Sequence, residues 1–366
     1  MATFDLIPNW EKIKERFCAF WENEIVDRCC MALYAAKSDA GQYPPPATPS
    51  KVTDRWDNFD YMTAANEHRF KTTHYGAEAF PVWHAGFAGG WDWMVTHLKC
   101  PWRPAEDTAW VDPILTEGEL TDYDYNDYVI EDDDLMWLMS KRIHTFNAQS
   151  ARGRVIAGTG ALGGCGDNLA AMRGNENLLI DLIECPEYVA AFDRHLYLQW
   201  KKVYEWIYQL MREQNDGSVC GWFPLWSPGR FYPLHNDFAY MISPKMFRQI
   251  FLPNLAEQAE YLDHTCYHVD GEGNFNHIEA LLEVPKIQCL QVLPGAGKPG
   301  QLSYIKYLRR IQEAGHSIHL YISGDEVEDA CRLLSSRGMF LDVQCSSVEQ
   351  AEYIEKNAHR WTRERI

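Results

Sequence analysis

Positive charge is scarce in this chain. Its 366 residues carry 34 Lys and Arg against 52 Asp and Glu, a net charge of −18. A nucleic-acid surface needs basic side chains to neutralise phosphates, so no nucleic acid is expected as a partner. Long apolar runs are missing as well. No stretch approaches the roughly 18 apolar residues that a membrane-spanning helix needs, so no membrane is expected. The start, MATFDLIPNWEKIKERF, lacks a basic segment followed by an apolar run, which argues against a secretory signal. The 11 cysteines show no CxxC and no repeated spacing. They read as reduced thiols, one or two of them available to a metal, and the expected location is cytoplasmic.

Several catalytic signatures are also absent. There is no GxSxG elbow, and GAGKPG has neither the spacing nor the final Ser or Thr of a phosphate-binding loop. A doubly wound dinucleotide fold needs a glycine-rich turn after its first strand. The one tempting run, GTGALGG at 158–164, comes late and has no acidic residue at a strand end about 20 positions on. It reads as a strand-to-helix loop whose backbone must come close to another group. Aromatic residues, by contrast, are plentiful, with 14 Trp and 13% aromatics overall. So many large rings can fill a core and still line a cavity.

Along the chain, Trp10, Ile13, Phe17 and Phe20 recur at helical steps over 9–23. Residues 28–36 read as a strand, 42–50 (QYPPPATPS) as a loop and 56–74 as helical. Residues 76–84 (GAEAFPVWH) read as the first parallel strand, and 85–93 as a loop or helix start. The acidic stretch 102–134 reads as an excursion or small β-insertion, ending in Asp132 to Asp134 at the start of a helix. Strands then alternate with helices. Strands are expected at 154–159, 218–224, 238–242, 265–270, 287–293, 316–322 and 339–344. Helices are expected at 168–183 (broken near Gly174), 187–212, 303–314, 326–335 and 348–359, with Ser243-Pro244 opening another. Counted from Gly76, eight strands with helices between them predict an α/β protein of the (β/α)8 barrel type. The expected organisation is a helical extension over 1–75 packed on a barrel over 76–366, with an insertion around 100–150.

The chemistry concentrates at HVDGEG, where a strand ends. Strand alternation puts His268 and Asp270 on one face, and the carboxyl ends of parallel strands are where α/β proteins work. Glu272 follows as a further ligand or a general acid. His235 and Asp237 repeat the same two-residue spacing in LHND and are candidates for acid/base work. Trp222, Trp226 and Arg230 in GWFPLWSPGR are candidate substrate contacts, as are Gln291 and His84 near other strand ends.

The segments AEAFPVWHAGFAGGW, GCGDNLAAMRGNENLLIDLIECPEYV, WSPGRFYPLHNDFAYMISPKMFRQIFLPNL, YHVDGEGNFNHIEALLEV and VLPGAGKPG resemble the uroporphyrinogen decarboxylase superfamily. The resemblance runs from about residue 55 to the end and implies a (β/α)8 barrel. Its decarboxylases use no metal and hold their substrate with N-terminal arginines, but here the first 50 residues hold only Arg16 and Arg28. Its corrinoid-linked methyltransferases bind zinc through His-x-Cys on one strand and a Cys near the last. In that pattern His268 takes the His position, Asp270 replaces the first Cys, and Cys345 stands for the distal one. The oxygen-rich set suits an ether oxygen better than a thiol.

The resemblance therefore implies zinc at His268, Asp270 and Cys345. It also implies methyl transfer from a small methylated compound, such as a phenyl methyl ether, to a corrinoid on a separate protein. A homodimer is a further expected partner. The alternatives are a metal-free decarboxylase or lyase of a carboxylated substrate, and a barrel that binds a tetrapyrrole or corrinoid without turnover.

Overall fold

A computed structural model describes residues 3–84, 92–106 and 108–364. Its strands are β1 (Cys30–Ala36), β2 (Thr73–Ala77), β3 (Val82–Trp83), β4 (Trp102–Pro104), β5 (Ala109–Val111), β6 (Ile156–Ala157) and β7 (Ser218–Cys220). They continue with β8 (Phe223–Ser227), β9 (Phe231–His235), β10 (His264–Asp270), β11 (Cys289–Leu293), β12 (Ser317–Ser323) and β13 (Met339–Gln344). The main sheet runs β2-β1-β13-β12-β11-β10-β9. All its neighbours are parallel except β2, which runs antiparallel to β1. A second parallel pair joins β3 to β6, and Thr159 just beyond β6 bridges in parallel to Cys220 of β7. The architecture is a mixed α/β fold built on a parallel sheet.

Helix Trp10–Trp21 forms as its periodicity predicts and buries Trp10, Ile13, Phe17, Phe20 and Trp21. Its rings pack on Phe80, Trp226 and Phe340, with centroids 5.4 to 6.4 Å apart. Phe17 is fully buried, and burial of such a ring contributes roughly 1.5–3 kcal/mol. The long helix Pro186–Met211 and the pair Asp167–Arg173 and Asn175–Glu184, broken at Gly174, lie close to their expected bounds. Ser243 caps the following turn by accepting from Met246 N. The acidic stretch holds the β4–β5 hairpin and two short 3-10 turns. Asp134 at its end caps helix Leu135–Ala151 by accepting from Trp137 N at 2.9 Å.

Three strand expectations change. Residues 76–84 do not form one strand. Glu78 is drawn inward, accepting from Arg28 at 2.7 and 2.8 Å and from Met31 N at 2.9 Å, so the chain leaves β2 before it starts β3. Residues 218–224 split at Gly221 into antiparallel β7 and β8. Residues 238–242 are a 3-10 turn, because Asn236 accepts from Ala239 N and starts a helical turn there. The strand lies earlier, at β9, and contains Pro233. Proline is tolerated because β9 is the last strand of the sheet order. The loop read over 85–93 falls largely on 85–91, outside the described residues. No helix among the described residues is long and apolar enough to cross a membrane.

Candidate functional site

The parallel pairing of β9 with β10 sets His235 directly beside His268. Each histidine is followed two residues later by an aspartate: β9 ends at His235 and Asp237 opens the next turn, while β10 itself runs to Asp270. Two sets of possible ligand atoms therefore meet: Asp167, His235 and Asp237, and Asp237, His268 and Asp270, with the atoms of each set within 4.8 Å of one another. Asp237 belongs to both. Asp167 stands in the first turn of its helix, after the glycine-rich loop 158–164.

That loop must come close, but to protein. A Cβ on Gly164 would lie 2.7 Å from His235 Nδ1 and 2.8 Å from Asp167 Oδ2. Only glycine leaves room there for the hydrogen bond between those two groups.

Both imidazoles donate from Nδ1. His235 donates to Asp167 Oδ2 at 2.8 Å, while the other Asp167 oxygen accepts from Phe238 N at 2.8 Å. His268 donates to Gln291 Oε1 at 2.5 Å, and Gln291 Nε2 donates onward to His319 Nδ1 at 3.1 Å. With Nδ1 engaged, Nε2 is the nitrogen left to face the site, the arrangement by which outer partners orient a metal-binding histidine. Trp222 stands edge-on to both rings, 5.6 Å from His268 and 6.1 Å from His235.

The surroundings drive the charges apart. Burial works to lower His235, but the hydrogen bond and charge of Asp167, helped by Asp237 and Asp270, outweigh it, and the imidazole is raised above its usual 6.5. Burial lowers His268, and the neutral amide of Gln291 recovers only part of the loss. Asp237 is pushed up to about 6, first by desolvation and then by Asp167 and Asp270. Its carboxylate meets solvent at the mouth yet is closely surrounded on its protein side. Deeper in, burial pushes Asp342 up to about 7, and burial with His268 nearby pulls His319 down to about 3. His319 Nε2 and Asp342 Oδ2 are 4.0 Å apart.

The other candidates fall elsewhere. Cys345 joins neither ligand set. It follows β13, its N–H donates to Tyr34 O, and burial pushes its thiol up to about 11. Glu272 is tied by Lys298 Nζ at 2.5 Å and Tyr304 Oη at 2.6 Å. Trp226 is buried under the first helix, with Nε1 donating to Asn215 O at 3.1 Å. Arg230 pairs with Glu205 at the opposite end of β9 and stacks on Tyr208 and Tyr261. His84 stays near the site: a Cβ on Gly221, the residue before Trp222, would lie 3.5 Å from its Nδ1. Asp167 joins the first ligand set, and His319 reaches His268 only through Gln291. The signal for Asp167 was an acid opening a helix straight after the glycine-rich loop.

No family model matches the chain, and no curated protein matches it. Among solved structures, a methyltransferase from Methanosarcina mazei is similar over 95% of this chain and 98% of its own length, with a TM-score of 0.59 and 11% identity. The two chains share the fold from end to end.

Proposed function

We propose that this protein is a methyltransferase of the corrinoid-linked branch of the uroporphyrinogen decarboxylase superfamily. On this reading the strands close as a (β/α)8 barrel over 76–366, with 1–75 packed on it. A methyl group would pass from a small methylated compound, such as a phenyl methyl ether, to a corrinoid on a separate protein. The observation that carries the reading is the pair of His-x-Asp units on adjacent strand ends, each imidazole tied through Nδ1. The end-to-end likeness to a methyltransferase supports it.

The donor chemistry fits a divalent ion of the zinc class, with Asp237, His268 and Asp270 to hold it and no thiol among them. When bound, such an ion supplies Lewis acidity toward the oxygen that loses its methyl. His268, kept neutral by burial, has its Nε2 lone pair for that ion. His235, whose pKa is raised by Asp167, would give a proton to the departing oxygen as the carbon–oxygen bond breaks. Trp222 packs perpendicular to both rings and helps hold them side by side.

The test is turnover. Methoxylated aromatics incubated with cob(I)alamin and the wild-type protein should give methylcobalamin and the free phenol, and His268→Ala should not. Failure of every methoxylated compound and methylamine with metal-loaded protein would remove the proposal.

A further inference from the structure

One positive charge has no carboxylate partner among the described residues. Arg69 sits in the last turn of helix Phe59–Thr72. Its Nη2 donates to Asn66 Oδ1 at 2.7 Å and to the Val82 carbonyl. Asn66 Oδ1 also accepts from the backbone N–H of His84 at 3.0 Å. These contacts fix the guanidinium against the end of β3.

No carboxylate pairs with Arg69 among the described residues. By contrast, buried Arg28 and Arg173 each grip an acid, Glu78 and Asp181. The segment that follows His84 in sequence, AGFAGGW, contains no acidic residue. Burial accordingly holds the Arg69 guanidinium below its usual range. A half-buried cation held in place without a counter-ion is suited to receive an anion from outside.

Two tyrosines stand beside it. Tyr75 Oη is buried and has no hydrogen-bond partner at good geometry, and burial raises it while Arg69 pulls it back. The Tyr34 ring lies edge-on to Tyr75, with centroids 6.0 Å apart. A buried hydroxyl leaning on a guanidinium that has no carboxylate partner is a donor set suited to an anionic acceptor.

Two separate routes connect this group to the site. On one side Arg69 acts on His84, whose Nδ1 adjoins Gly221, and Trp222 then meets both site histidines. On the other, Tyr34 feels Asp342, which faces His319, and Gln291 links His319 to His268. Asp342 itself is raised by burial alone, so Arg69 is not its counter-ion.

We propose that Arg69, with Tyr75 and Tyr34, receives the carboxylate of a small substrate whose other end reaches His268 and Asp270. The substrate class is then a methylated organic acid, and neutral ethers and amines are disfavoured. The assignment of the reacting end rests on the methyl-transfer reading; the carboxylate site does not.

Binding is measured by calorimetry with para-methoxybenzoate and its uncharged methyl ester. Wild type should bind the acid at least about 10-fold tighter than the ester. Arg69→Gln should weaken the acid by about 10- to 100-fold and leave the ester unchanged, with Arg69→Lys restoring part of the loss. Tyr75→Phe, which removes one hydroxyl and keeps the ring, should weaken the acid about fivefold; it decides the matter if Arg69→Gln does not fold. Equal binding of acid and ester overturns the proposal. So does wild-type affinity for the acid in both folded variants, or failure of wild type to bind para-methoxybenzoate, benzoate or acetate at millimolar concentration. Arg69-dependent acid binding without methyl transfer to cob(I)alamin would sink the methyltransferase reading and leave this site standing. Undiminished transfer from the acid, para-methoxybenzoate, in Arg69→Gln would do the reverse.

Discussion

The two His-x-Asp units have the same spacing, lie side by side in register and share Trp222 as a neighbour, yet their imidazoles are pushed in opposite directions. The difference lies in one acceptor. His235 donates to a carboxylate, Asp167, and His268 to an amide, Gln291. A charged acceptor stabilises the imidazolium, whereas a neutral one fixes the ring and leaves burial to decide. Neighbouring groups whose surroundings separate their protonation states are suited to divided labour, which the proposed function assigns as proton donor and metal ligand.

The comparison can be broken most severely by removing a ligand. His268→Ala should bring metal content, measured by mass spectrometry on chelator-free protein, down to background. His235→Ala should keep the metal and lose turnover. Asp167→Asn comes next. It keeps a hydrogen-bonding group but removes the charge, so burial then dominates and His235 loses its proton at lower pH. Methyl transfer should fall by about 10²–10⁴-fold, and the basic limb of the pH–rate profile should move toward acid. In wild type the acidic limb should lie near 6, the value to which Asp237 is raised, because a protonated carboxyl is a poor ligand.

Gln291→Glu makes His268 resemble its neighbour. The new carboxylate raises His268, so zinc affinity at pH 6 should drop by about 10-fold and recover by pH 8. The smallest effect expected is from Asp342→Asn. A carboxyl raised when folded is disfavoured as pH climbs from the unfolded value of 3.8 to about 7, and above that the penalty is constant. The amide escapes it, so the variant should be stabilised by about 2 kcal/mol at pH 8 and by less at pH 5, measured by denaturant unfolding.

Much of the second half of the chain was legible because its signals are local. β10, β13 and the helices between them follow from alternation, periodicity and caps. The pairing of His268 with Asp270 needed only the pleat of one strand. Asp167 and Gln291 were harder to place as partners because they lie 68 and 23 positions from the histidines they hold, so only the folded register brings them there. β9 was missed because Pro233 argues against a strand unless that strand is known to end a sheet. Arg230 and Trp226 carried the right chemistry, but β8 and β9 direct them toward Glu205 and the first helix. Arg69, on a helix outside every motif, offered no signal until its lack of an acidic partner could be seen.

The proposed metal site is formed by Asp237, His268 and Asp270 without Cys345. Cobalt(II) added to metal-free protein tests this most directly, since a thiolate ligand produces an intense near-ultraviolet charge-transfer band. The expected spectrum has visible cobalt bands and no thiolate band, lost in His268→Ala and Asp270→Asn and unchanged in Cys345→Ser. A thiolate band that disappears in Cys345→Ser would contradict it.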